Sequence, residues 1–113
     1  NESCGIILGN KQDNIKIAAK ISPTTNILES PARYQINPRE QLNVYMEADE
    51  KSLEILGYYH SHPFGDTKPS EIDIKEANQP CCSYIIYSNE KNDFKSFHWN
   101  GSSFHDEELM ISN

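Results

Sequence analysis

The segment Glu54-Ile55-Leu56-Gly57-Tyr58-Tyr59-His60-Ser61-His62-Pro63 restricts this chain more than any other. Residues 54–60 form an apolar and aromatic run that reads as a core strand. The run leads into His60 and His62, which at positions i and i+2 project to the same side of a strand. Residues 63–69, with Pro at both ends and Gly65 between, read as a loop. Ser70-Glu71-Ile72-Asp73 then resembles a capping box, with Ser70 as the N-cap of a helix that ends before Pro80. If His60, His62 and Asp73 are to meet, the fold must bring a strand end and a helix start together.

The surrounding elements support such a fold. Cys4-Gly5-Ile6-Ile7-Leu8 reads as a short buried strand stopped by Gly9-Asn10. Residues 14–21 alternate, with Ile15, Ile17 and Ala19 on one face against Lys16 and Lys20, and are expected to form a half-buried strand. A hairpin around 10–13 would join the two. Residues 22–31 read as a loop and 33–36 as a short strand. Asn37-Pro38 combines a good N-cap with a residue tolerated at the first helical position. Leu42, Tyr45, Met46 and Leu53 share one face of the helix expected over 38–53. Residues 83–87 and 93–99 read as further strands, and Asn100-Gly101 turns the chain into a last strand near 103–105. The expected fold class is α/β or α+β, one domain with a mixed, mostly antiparallel sheet flanked by two helices. At 113 residues such a domain buries roughly 65% of the surface its unfolded chain exposes, enough to fold without disulfides or metal.

Charge narrows the partners. A net charge of -7 without any Lys/Arg cluster repels phosphate backbones, which disfavours nucleic acid. No run approaches the roughly 18 apolar residues of a membrane span. Cys4, Cys81 and Cys82 are an odd set with no CxxC pair, so they read as small thiols in a reducing compartment, and a cytoplasmic location is expected. His98 and His105 read as surface or hydrogen-bonded histidines, and Phe94, Phe97 and Trp99 as sheet aromatics.

Two imidazole nitrogens and a carboxylate form a zinc ligand set, and three protein ligands leave a fourth tetrahedral position for water. On spacing alone a second reading stands beside this one, in which the histidines merely end a strand and Asp73 caps a helix. A two-histidine, one-carboxylate set also serves non-haem iron, although there the ligands normally lie on barrel strands rather than at a helix start.

The pattern His60-x-His62-Pro63, six residues, Ser70-x-x-Asp73 resembles the signature of the JAMM (MPN-plus) metallopeptidases. Glu2, in Glu2-Ser3-Cys4-Gly5-Ile6-Ile7-Leu8-Gly9, matches the upstream Glu of that signature, and this run is typical of the small bacterial and archaeal members. Ile36-Asn37-Pro38-Arg39-Glu40 and Gly57-Tyr58-Tyr59 extend the similarity along nearly the whole chain. The resemblance implies a cytidine-deaminase-like JAMM/MPN fold over 1–113, without the helix that usually precedes the Glu. It implies Zn²⁺ on His60, His62 and Asp73, Glu2 as general base, and Ser70 as hydrogen-bond donor to the oxyanion. It also implies hydrolysis of an amide bond after the Gly-Gly tail of a ubiquitin-like or sulfur-carrier protein, which would be the partner. Two alternatives come with the family: a non-catalytic MPN module that binds ubiquitin-like proteins, and a component of a cell-wall peptide hydrolase.

Overall fold

Strand β3, Glu54–His62, is buried or half-buried along nearly its whole length, the pattern of a strand with neighbours on both edges and both faces. The computed structural model describes residues 3–13, 15–28, 34–63, 65–70, 73 and 82–108. Among these, β3 lies inside a six-stranded sheet formed with β1 (Cys4–Gln12), β2 (Ile15–Thr24), β4 (Ser83–Ser88), β5 (Asp93–Trp99) and β6 (Phe104–Glu107), in the order β2-β1-β3-β4-β5-β6. Only β3 and β4 pair in parallel, His60 opposite Ile86 and His62 opposite Ser88; the other neighbours are antiparallel. The fold is thus the expected single α+β domain with a mixed, mostly antiparallel sheet. No helix among the described residues is long and apolar enough to cross a membrane.

Helix α1, Pro38–Glu50, packs on one face of the sheet. Its start follows the sequence: the Asn37 Oδ1 accepts the Arg39 and Glu40 amides at 2.9 and 3.3 Å, and Pro38 takes the first helical position, a cap worth about 1 kcal/mol. Its other features depart from expectation. The helix stops at Glu50, with Ser52 at a φ of 56°, and the Leu53 amide folds back onto the Ala48 carbonyl at 2.8 Å. Of the expected inward face, Tyr45 and Leu53 pack against the core together with Val44 and Ala48, whereas Leu42 and Met46 are 57% and 59% exposed. The Tyr45 and Tyr58 hydroxyls meet at 2.5 Å and set the helix's rotation about its axis. Burial, followed by this hydroxyl contact, pushes the Tyr58 phenol well above its ordinary range.

Strand β2 reverses the expected alternation. Strand β1 continues through Gly9 to Gln12, and the register with β2 shifts between Leu8, opposite Lys20, and Gly9, opposite Ala18. Ala19 is the extra residue of a bulge, and one extra residue sends the rest of a strand to the opposite face. Ile15, Ile17 and, beyond the bulge, Ile21 stand 59%, 49% and 59% exposed, while the half-buried Lys16 donates to the Ser83 Oγ at 2.7 Å. Strand β2 also runs through Ser22–Thr24, where a loop was expected; Pro23 is tolerated because β2 is an edge strand. The expected strand at 33–36 is reduced to an Asn26–Ile36 bridge. Of the second expected helix only Asp73 is described, in helical conformation; the rest lies outside the described residues.

Cys4, Ile6 and Leu8 of β1, Tyr58, Tyr84, Trp99, Ile36 and Ala48 form one core cluster. Each fully buried aliphatic side chain in it contributes roughly 1.5–3 kcal/mol. On the opposite side of β3, Gly57 admits no side chain, since a Cβ there would lie 2.1 Å from the Ser83 carbonyl oxygen of β4. Gly57→Ala is expected to cost about 1–3 kcal/mol, a fall of roughly 5–20 °C in melting temperature for a domain of this size. An unchanged thermal midpoint would show that β3 and β4 can separate freely.

Candidate metal centre

Parallel pairing of β3 with β4 requires the chain leaving His62 to return to the starting end of the sheet before β4 begins. The first part of that return is pinned. The Asn89 amide donates to the His62 carbonyl at 3.0 Å, the Gly65 amide to Glu90 Oε2 at 2.6 Å, and the fully buried Ser88 hydroxyl to the Gly65 carbonyl. Gly65, at a φ of 99°, takes a turn that other residues resist. Ser70 and Asp73 then form the expected reciprocal cap: the Ser70 amide donates to Asp73 Oδ2 at 2.8 Å, and the Asp73 amide to Ser70 Oγ at 3.0 Å. The Ser70 hydroxyl, an acceptor in this pair, retains its own hydrogen as a donor.

His60, His62 and Asp73 converge. His60 Nε2 lies 3.2 Å from His62 Nε2, His62 Nε2 lies 3.0 Å from Asp73 Oδ2, and His60 Nε2 lies 3.1 Å from Asp73 Oδ1. All three residues are buried, at 2%, 8% and 9% exposure. Ligand atoms about 2.0 Å from a tetrahedral ion stand about 3.3 Å apart, so these atoms trace nearly one face of such a tetrahedron. His62 Nδ1 lies 2.9 Å from the Asp66 carbonyl oxygen; because a carbonyl only accepts, Nδ1 carries a proton. In neutral His62 the Nε2 lone pair then faces the Asp73 carboxylate, two acceptors 3.0 Å apart. Such a contact calls for a positive charge between them, either a proton or a metal ion. A ring nitrogen donating to a backbone carbonyl is also how metal-binding histidines are commonly oriented. The residues therefore fit a metal, and they are the one group of three or more candidate ligands among the described residues. Burial alone would raise the Asp73 carboxyl, but where the Nε2 atoms of His60 and His62 carry protons, their hydrogen bonds and that of the Ser70 amide outweigh it and hold the group well below the usual carboxylate range.

The structure thus assembles four of the five expected site residues, His60, His62, Ser70 and Asp73. Glu2 lies outside the described residues. Its chain neighbour Ser3 is bonded both ways to Ser61, which stands between the two histidines: Ser3 N–H to Ser61 Oγ at 2.8 Å and Ser61 N–H to Ser3 O at 2.9 Å. Sequence reasoning missed two contacts. The Asp66 carbonyl had a faint signal in its closeness to His62 along a Gly-containing turn. Tyr34, whose ring stacks on His60 at 4.4 Å and 19°, had none, because the two residues are far apart in the chain.

Known proteins share this sequence and fold. Residues 1–100 match the model of a family described as prokaryotic homologs of the JAB domain. The chain is 28% identical over 111 residues to a desampylase of Haloferax volcanii, covering 97% of this chain and 78% of that protein. It is 30% identical over 88 residues to the CysO-cysteine peptidase of Mycobacterium tuberculosis, covering 78% of this chain and 59% of that one. The solution structure of a protein from Desulfitobacterium hafniense superposes with a TM-score of 0.88 at 30% identity, over 99% of this chain and 79% of that structure.

Binding of a divalent transition metal at this centre is expected to stabilise the fold, by about 2.7 kcal/mol at a hundredfold excess over the dissociation constant. Wild-type protein titrated with Zn²⁺ should show a rising melting temperature, and His62→Ala should show none. Equal shifts in the two proteins would place the metal elsewhere.

Proposed function

The chain belongs to the family of prokaryotic homologs of the JAB domain, and from that premise we propose that it is a zinc-dependent peptidase. Its reaction is hydrolysis of the amide bond after the Gly-Gly tail of a ubiquitin-like or sulfur-carrier protein. The observation that carries this reading is the facing pair of acceptors, His62 Nε2 and Asp73 Oδ2, closed into a triangle by His60 Nε2. Two imidazoles and a carboxylate suit zinc and leave one coordination position open, as catalytic zinc sites do. A zinc ion there supplies Lewis acidity and makes a water nucleophilic near neutral pH.

The protein's own groups handle protons and charge. Glu2 accepts a proton from the attacking water and delivers it to the leaving amine as the C–N bond breaks. Ser70, fixed by its bonds with Asp73, directs its hydroxyl hydrogen at the oxyanion that develops on the scissile carbonyl, a contact worth roughly 3–4 kcal/mol in a dry site. The substrate class is supported by relatives that are a desampylase and a CysO-cysteine peptidase. A diglycine tail has no side chains to exclude it from a narrow site and can be held through its main chain. The odd set of three cysteines without a CxxC pair accords with work in the cytoplasm.

The test uses carrier proteins ending in Gly-Gly and fused through that tail to cysteine or a short peptide, with products read by mass spectrometry. Zinc-loaded wild type is expected to release the carrier with a free Gly-Gly terminus. Glu2→Ala is expected to retain about one zinc per chain, the occupancy of a single catalytic site, and to lose hydrolysis; His62→Ala is expected to lose both. Loss of zinc from Glu2→Ala would contradict its role as base. A zinc-loaded wild type that binds such carriers without cleaving them would establish a binding module instead.

A further inference from the structure

The two histidines of the centre are oriented by different means. His62 is held through its second nitrogen by the Asp66 carbonyl at 2.9 Å. His60 has no counterpart: its Nδ1 is buried and lacks a hydrogen-bond partner among the described residues. A singly hydrogen-bonded or unbonded imidazole can rotate about its Cβ–Cγ bond, which tilts the Nε2 lone pair away from the point it shares with its partners. Among the contacts that oppose this motion for the buried His60, the one that lies along the ring plane is with Tyr34, nearly parallel to the imidazole at 4.4 Å between centroids and 19° between planes.

We infer that Tyr34 is a positioning residue for His60, fixing the plane of this imidazole by stacking where a hydrogen bond fixes that of His62. The inference rests on the metal reading proposed above. Tyr34 is suited to the task because the chain beside it is pinned. The Gln35 amide donates to Asn26 Oδ1 at 3.0 Å, Ile36 bridges to Asn26, and the Asn37 amide donates to the Thr25 carbonyl at 3.2 Å. Thr25 in turn donates to Glu40 of α1 through both its amide and its hydroxyl, at 2.9 and 3.1 Å. The backbone next to Tyr34 is therefore anchored to the end of β2 and the start of α1. An imidazole that shares its lone pair with a cation becomes electron-poor, and an electron-rich ring face stabilises it more than an aliphatic side chain would. The stack should thus strengthen metal binding as well as hold the ring.

Tyr34 also packs against the core cluster, so the test must separate ring from bulk. Tyr34→Phe keeps the aromatic face, and Tyr34→Leu keeps apolar volume without it. With Zn²⁺ distributed between the full chain and a chelator of known affinity, Tyr34→Phe is expected to bind within about threefold of wild type. Tyr34→Leu is expected to bind at least about tenfold more weakly, the scale of losing an orienting contact behind a metal ligand. Equal affinity of the Leu and Phe variants overturns the positioning role while leaving the metal centre intact. A wild type that takes up no zinc overturns both readings. A second measurement needs no substitution: in the metal-free protein the ring protons of His60 should resonate upfield of those of His62, shifted by the Tyr34 ring current, and no upfield displacement would overturn the stack.

Discussion

The parallel pairing of β3 with β4 is the constraint from which the candidate site follows. Two parallel neighbours cannot be joined by a tight turn, so residues 63–82 must carry the chain from His62 back to the start of β4. That connection begins at the strand end where the histidines project, and it brings Asp73 to them. An antiparallel pairing here would have let a short hairpin follow His62 and left the carboxylate elsewhere. Gly57 allows the close approach of the two strands, and the Ser88 and Glu90 contacts with Gly65 tie the first turn of the connection to the end of β4.

The site itself is electrostatically unfinished. Most buried polar groups in folded proteins satisfy one another, and the Ser70–Asp73 pair and the Tyr45–Tyr58 hydroxyls do so. At His60, His62 and Asp73 the opposite holds, with three acceptor-bearing groups pressed together in a buried position. Such an arrangement favours whatever positive charge occupies it, and the surrounding sheet supplies the rigidity. Ile6, Leu8 and Ile86 are fully buried in the strands around the histidines, so His60 and His62 sit on a well-packed strand rather than on a free loop. Tyr34 extends this support to the imidazole whose Nδ1 lacks a hydrogen-bond partner among the described residues.

Much of the domain was legible from local pattern. The apolar run before His60, the Asn37-Pro38 helix start, the Ser70-x-x-Asp73 cap and the Asn100-Gly101 turn each depend on residues close in sequence, and each appears where expected, the last with Gly101 at a φ of 101°. Errors arose where a local pattern was overruled by a distant contact. The isoleucines of β2 alternate well, but the bulge opposite Leu8 and Gly9 breaks their common face, Lys16 reaches Ser83, and Ile15, Ile17 and Ile21 all stay exposed on an edge strand. Leu42 and Met46 match a helical stripe with Tyr45, yet α1 turns Val44, Tyr45 and Ala48 to the core and leaves those two exposed.

What the sequence determined by itself was the identity and spacing of the candidate metal-binding groups, and with them the kind of chemistry they could support. Two histidines at i and i+2 on a strand, and a carboxylate at a helix start, are properties of short segments whose backbone geometry is set locally. Only the tertiary structure decided that these segments meet, that the ligand atoms come within 3.0–3.2 Å of one another, and which support stands behind each ring. His62 leans on a carbonyl four residues away and His60 on a tyrosine brought in from another part of the chain. Packing of that kind depends on how whole elements are stacked, and neither periodicity nor spacing encodes it.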